Sequence, residues 1–190
     1  MTFNKTRIFG ALFAIGFLVA SLSAYGAPLN SNTASVSLSA TLAESLTVAA
    51  TPSSVSFTLV SGGTANGSAP VAVTTAWVLN RNRTSVSLVG YFSSATAALT
   101  DGGSPAITIP TSEVLGRVTT GTPTTYTAFT GSPALAPAGA GLGLFTQTIT
   151  DTNRAANRSD NLDLQINLTA QPQLPAGTYT GTLSIQAQAL

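Results

Sequence analysis

The chain contains neither cysteine nor histidine. Without them there is no thiol nucleophile, no Ser-His-Asp or Cys-His arrangement, and no ordinary zinc or copper site. A domain without thiols has no disulfide, so burial and strand pairing must hold it together. Its one lysine is Lys5. Beyond that residue the chain has no Schiff-base amine and no lysine for an isopeptide cross-link. Charge is scarce as well: Asp, Glu, Lys and Arg make up 7% of residues, where about 25% is usual for a soluble domain. These absences exclude most catalytic chemistries and lead us to expect a protein that is not an enzyme, with no cofactor, no metal site and no catalytic residue.

Two of the seven basic residues, Lys5 and Arg7, stand at the head of an apolar run from Ile8 to Leu22. Ala24-Tyr25-Gly26 follows, with small residues at the two positions a signal peptidase reads. We therefore expect a leader over 1–26 cleaved before Ala27. The run is shorter than the ~20 residues a spanning helix needs, and the mature chain has no later span. Residues 27–190 then carry five arginines (Arg81, Arg83, Arg117, Arg154, Arg158) against six acids (Glu44, Asp101, Glu113, Asp151, Asp160, Asp163). That balance offers no basic stripe, so a nucleic-acid partner is not expected. The expected location is secreted, from the periplasm to the surface of a bacterium.

Alternation of apolar and polar residues is what remains. Leu162, Leu164, Ile166 and Leu168 share one face of a period-two pattern, as do Tyr179, Leu183, Ile185, Ala187 and Ala189 near the end. Even-numbered positions from Ala34 read Ala34, Val36, Leu38, Ala40, Leu42, Glu44, Leu46, Val48 and Ala50. A single strand of that length would far exceed the usual five or six residues, and Glu44 marks the break. The pattern predicts strands over 35–42 and 45–50, then over Val55–Leu59, Val71–Leu79, Val86–Phe92, 106–110, 112–120, 144–150, 160–169 and 177–190. Gly90 is the candidate bulge. Asn80-Arg81-Asn82-Arg83 reads as a polar hairpin-like turn, 61–70 and 151–160 read as loops, and 121–143 reads as a long surface excursion with at most one short strand. The fold expected is all-β: a single antiparallel immunoglobulin-like β-sandwich of about nine or ten strands, with a closed barrel as its competitor.

Two stretches resemble a known family. VSLSATLAESLTVAATPSSVSFTL after the leader, and LPAGTYTGTLSIQAQAL at the close, are similar to the secreted spore coat protein U group and the related archaic chaperone–usher pilins. The likeness covers the two ends of the chain. This sequence departs from the family in lacking its cysteines, expected about where Leu46 and Thr75 stand, and in following Phe57 with Thr58 instead of glycine. The resemblance implies a fimbrial or coat-type structural subunit that lacks one strand and receives it from a neighbour. It implies Val36, Leu38, Ala40 and Leu42 as the inserted assembly strand, with Tyr179, Leu183, Ile185 and Ala187 on the receiving sheet. The partners implied are copies of the chain or related subunits, with a periplasmic chaperone and an outer-membrane usher. The residues alone equally allow 35–42 to be an edge strand of a self-sufficient monomer. A monomeric glycan- or ligand-binding module, using the three loops, is the alternative function.

Other candidate sites have plain structural readings. Trp77 shares its face with Val71, Val73 and Leu79, which points to the core, its N–H bonded to a backbone carbonyl. Asp151, Asn153, Asp160 and Asp163 have calcium-ligand chemistry, and Asp151 with Asp160 has the make-up of a glycosidase pair. Arg154 and Arg158 in the same stretch argue for an ion-paired loop instead. Arg81 and Arg83, with Asn80 and Asn82, offer an anionic-glycan site or a charged tip that keeps a sheet edge soluble.

Overall fold

The computed structural model describes Gly26 and Pro28–Leu190. The leader expected over 1–26, Gly26 apart, and Ala27 at its cleavage point lie outside the described residues. No helix among the described residues is long and apolar enough to cross a membrane.

The chain divides into two units, 1–40 and 41–190. In the first, the described residues belong to no strand and are exposed. The second is an antiparallel β-sandwich. One sheet is ordered β1 (Ser45–Thr51), β3 (Val71–Val78), β10 (Ala155–Asn167), β7 (Val114–Val118) and β8 (Thr127–Ala128), with β2 (Thr64–Asn66) also paired to β10. The other is ordered β11 (Ser184–Ala189), β4 (Ser85–Tyr91) and β9 (Gly141–Thr148), and β5 (Leu99–Thr100) with β6 (Thr108–Ile109) forms a small hairpin. Side chains from both sheets meet in one core. Val73, Trp77, Leu162 and Ile166 come from the first, and Val86, Leu88 and Leu144 from the second.

The period-two pattern accounts for these strands. In β3, Val71, Val73, Thr75 and Trp77 are buried while the residues between them are exposed or half-buried. Trp77 is a core residue, and its indole N–H donates to the Asn153 carbonyl at 2.8 Å. The alternation of β10 continues without a break through Ala156, Arg158, Asp160, Leu162, Leu164 and Ile166.

Several expected boundaries shift. The segment 35–42 forms no strand, and neither does 55–59, whose contribution is one bridge from Phe57 to Gly67. Residues 155–160, read as loop, are the first half of β10, because Arg158 and Asp160 satisfy each other on the inward face. The stretch read as a loop over 61–70 contains β2, the excursion over 121–143 holds the one short strand it allowed, β8, and also the start of β9, and 177–183 precedes β11 without pairing as a strand. The turn at 80–83 is not a hairpin: β3 and β4 lie in different sheets, so the chain crosses from one layer to the other there. The register shift in β4 falls between Leu88 and Val89, against β9, one residue before Gly90.

Candidate functional site

The two sheets end side by side on strands with one partner each. β1 is the last strand of its sheet and pairs with β3; β11 is the last of the other and pairs with β4. Where they part, at Ala50 of β1 and Ile185 of β11, an apolar groove of about 940 Å³ opens. One wall is the chain from Ala50 to Ser61, and the other runs from Leu174 to Ile185. The floor is built by Val71, Phe92, Leu99, Val114, Leu164, Ile166 and Leu168.

Each wall follows from its local sequence. After β1, Val55, Phe57 and Leu59 keep the period of two and turn half-buried side chains toward the core. No strand pairs with them along their length. They are held where Ser68 N–H donates to the Ser56 carbonyl at 2.9 Å, and where Gly67 N–H donates to the Leu164 carbonyl at 2.8 Å. Gly67 is required there, because a Cβ at that position would lie 2.7 Å from Val55 Cγ1. On the second wall, Tyr179 Oη donates to the Pro175 carbonyl at 2.9 Å, which ties the turn before β11. Thr180 and Thr100 exchange two backbone hydrogen bonds, each 2.9 Å, and so fasten the wall to β5. Gly181 packs its backbone against the Ala98 carbonyl so closely that no side chain fits between them.

The direction of the free hydrogen-bonding groups on β11 follows from its pairing. Leu190 and Ser85 exchange both of their backbone hydrogen bonds. Antiparallel pairs alternate between bonded and non-bonded positions. Ser184, Gln186 and Gln188, which face Tyr91, Val89 and Ser87, therefore bond to β4. The N–H and C=O groups of Ile185, Ala187 and Ala189 point the other way, where no strand among the described residues is hydrogen-bonded to them and the Ala189 carbonyl accepts Arg83 Nη1. These same residues turn half-buried side chains to the core side. An edge of this kind, apolar on one face and unpaired along its backbone, is a template for another strand.

Of the expected receiving residues, Ile185 and Ala187 lie in β11, while Leu183 and Tyr179 lie just before it on the groove wall. The expected inserted residues have no place in the sheets. Val36, Leu38 and Leu42 are 82%, 92% and 84% exposed, and Ala40 is exposed with them. The edge strand expected over 35–42 does not form.

Polar groups gather at the end of β11. Glu44, the residue before β1, accepts the Asn80 backbone N–H at 2.6 Å, and its two carboxylate oxygens receive Arg83 Nε and Nη2 at 3.3 Å each. Those bonds, the one from Arg83 first, hold the Glu44 carboxyl below its ordinary range. Arg83 Nη1 also donates to the Ala189 carbonyl at 3.3 Å. Sequence reading had Glu44 as a break and Arg83 as a tip residue. It missed their pairing because they are separated by three strands and a change of layer. Arg81 forms no ion pair among the described residues.

The acids singled out as ligands or catalysts are spread apart. Asp151 pairs with Arg154 at 3.1 Å, Asp163 with Arg117 at 2.9 Å, and Asp160 with Arg158 at 2.6 Å. Asp160 and Asp163 stand on β10, not on a loop. Asn153 accepts the Thr150 N–H and donates to the Thr148 carbonyl, which shapes the turn before β10. Among the described residues no group of three or more His, Cys, Asp or Glu side chains is placed to hold a metal. No family model, curated protein or solved structure matches the chain.

Proposed function

We propose that this is an exported bacterial surface protein, a fimbrial or coat-type structural subunit that assembles by β-strand addition. One observation carries the reading: an apolar groove of about 940 Å³ lies beside an unpaired strand edge, in a chain whose own alternating segment 34–42 stands exposed and unpaired. The groove has the chemistry of a missing strand. The β11 edge offers backbone donors and acceptors, and the floor offers apolar side chains, of which Leu164, Ile166 and Leu168 stand at the spacing of a pleat. Val36, Leu38, Ala40 and Leu42 of another copy supply the complement. Burying each of the three larger side chains is worth about 1.5–3 kcal/mol. The low charge fits the same use, since neutral hydroxyl-rich surfaces repel little when copies approach. Copies of the chain or related subunits are the partners, with a periplasmic chaperone and an outer-membrane usher as the means of export. The path of the protein runs from the periplasm to the cell surface.

Removal of residues 27–43 tests this. Sedimentation of the mature protein is expected to show linear multimers, and the shortened chain is expected to stay a folded monomer. Leu38→Asp in the full mature chain does the same without deletion: a charge in the groove blocks insertion while the sandwich keeps its fold. Equal assembly by both altered proteins removes the proposal.

A further inference from the structure

An inserted strand brings the body of its own subunit with it, and the groove limits where that body can stand. The groove is closed at Ala50 and Ile185, where β1 and β11 come to lie against each other, and it runs from there toward Leu59 and Leu174. The root of segment 34–42 stays outside, because Glu44 is held on its own sandwich by the Asn80 N–H and the Arg83 guanidinium. Ala34 then lies toward the closed end and Leu42 at the mouth. Val36 to Leu42 covers six residue steps, and so does Ile185 to Tyr179, about 20 Å each when extended. A strand that fills the groove sets Leu42 level with Tyr179.

An acid stands at that level, behind the groove wall. Thr100 and Thr180 face each other in an antiparallel bridge, so the next residue, Asp101, comes abreast of Tyr179. Asp101 Oδ1 accepts the Gly103 N–H at 3.0 Å and the Ile107 N–H at 2.9 Å, which fix the carboxylate in the turn between β5 and β6. It is exposed and forms no ion pair among the described residues. Glu113 is the other unpaired acid, and it is buried. Arg81 is the matching cation: exposed, and the one arginine in no ion pair among the described residues. It follows Asn80, whose N–H holds Glu44, so it sits beside the root of the donated segment. The charges around it, Glu44 with Arg83 and Asp151 with Arg154, cancel in pairs. The two uncancelled charges lie toward opposite ends of one line of chain. Thr180 is bonded next to Asp101 at one end, and the Ala189 carbonyl is bonded to Arg83 at the other.

We infer that the joint between two copies carries a second contact outside the groove, in which Arg81 of the donating copy pairs with Asp101 of the receiving copy. The inference rests on the strand-addition reading and adds a contact between the two bodies. Only Ala43 separates Leu42 from the anchored Glu44, so the turn at 80–83 is drawn up to the groove mouth, within reach of an arginine side chain. Apolar burial holds the strand, and the opposite charges steer and orient the approach. With the cation at one end and the anion at the other, the contact is heterologous and repeats from copy to copy along a row.

A double-mutant cycle in the full mature chain tests this. Arg81→Gln, Asp101→Asn and the two together are compared with the parent by sedimentation, which gives the dissociation constant of the multimers. Asp101→Asn keeps the Oδ1 acceptor that shapes its turn. At about 0.01 M salt each single change is expected to weaken the joint about two- to fivefold, the worth of an exposed ion pair. The double change is expected to cost no more than either one, as for groups that act only through each other. At about 1 M salt the differences should vanish. Additive losses, or single variants equal to the parent in dilute salt, overturn the pair and leave strand addition standing. A parent that forms no multimers overturns strand addition, and the pair with it. A second measurement uses the absence of cysteine. Arg81→Cys with Asp101→Cys, treated with a short bismaleimide, is expected to give a ladder of linked copies. Arg81→Cys with Asp151→Cys, both at the root end, is expected to give none. Multimers of the first pair that yield no ladder overturn the contact.

Discussion

Where β7 and β9 approach the side of the sandwich, the chain between them crosses from layer to layer and covers both sheets. Phe129 N–H donates to the Val114 carbonyl, Gly131 exchanges hydrogen bonds with Gly141, and Thr122 N–H reaches the Leu144 carbonyl. Phe129 sits in that crossing with 0% exposure and meets Phe92 edge to face at 5.3 Å. On the opposite side, where β1 and β11 end their sheets, the chain from β10 to β11 also crosses between layers, but it leaves the apolar groove open beside it. Phe57 lies on that side, half-buried in a groove wall. The two sides use the same materials, an aromatic ring and aliphatic strands. One is covered within the chain, and the other leaves an apolar groove open.

The sharpest way to break that comparison is to truncate both rings. Phe129→Ala empties a fully buried site and is expected to cost about 3–5 kcal/mol of folding stability. Phe57→Ala removes a ring already in contact with water, so it should cost about 1–2 kcal/mol in the unassembled chain, because less apolar area is lost. Urea unfolding of the two variants at equal concentration measures the difference. Equal costs would mean that the β1–β11 side is as complete as the other, and the missing-strand argument would fail with it.

A smaller effect is expected at the polar seam of the closed side. Asp160, 3% exposed on the inward face of β10, accepts Arg158 Nε at 2.6 Å, Arg158 Nη2 at 2.8 Å and Thr120 Oγ1 at 2.8 Å. Arg158 lies over the Phe145 ring of the other sheet at 4.7 Å and donates to the Thr120 carbonyl. The group thus joins β10, β9 and the chain after β7. Asp160→Asn leaves the guanidinium without its counter-charge. Breaking a fully buried pair costs about 3–5 kcal/mol, and because Arg158 keeps a quarter of its side-chain surface in water, about 2 kcal/mol is expected here. Loss of less than 0.5 kcal/mol in thermal or urea unfolding would show that the seam is held by packing alone.

These two features also show where sequence reading stopped. The inward faces of β3, β4 and β10 were legible because a sheet buried on one side imposes a period of two, and Val73, Trp77, Leu88 and Leu162 obey it. Segment 34–42 obeys the same rule, so the pattern predicted a strand there as well. Alternation records that a segment suits a sheet, not that the sheet belongs to the same chain. The first half of β10 was misread for the opposite reason. Arg158 and Asp160 look like loop residues until each is seen to neutralise the other. The clasp of Glu44, Asn80, Arg83 and Ala189 left no sequence signal, since its members meet only after the chain has crossed between layers. The groove floor was half visible: Phe92, Leu164 and Ile166 were expected in a core, but nothing in their spacing said that one side of that core would lie open.

The finest test concerns Glu113, the one acid whose side chain has neither an ion pair nor a hydrogen bond among the described residues. It closes a single helical turn, Thr111–Glu113, directly before β7, and is 5% exposed with Oε2 unpartnered. Burial raises its pKa above the ordinary 4.5. Below that value the carboxyl is protonated in both folded and unfolded chains, and its ionisation favours neither. As the pH rises past 4.5 the unfolded chain releases the proton first. Stability therefore falls until the folded form ionises too, and the deficit persists at neutral pH. Glu113→Gln cannot ionise and is expected to escape that loss. Its melting temperature should exceed that of the parent by about 2–4 °C at pH 7, which corresponds to about 1 kcal/mol for a domain of this size, and match it near pH 4. Thermal melts of both proteins across that range decide the matter. A variant that is less stable than the parent at pH 7 would mean that the carboxylate has a partner that stabilises its charge. The closed side of the sandwich would then owe part of its strength to a third charged contact, beside the Arg158–Asp160 and Arg117–Asp163 pairs.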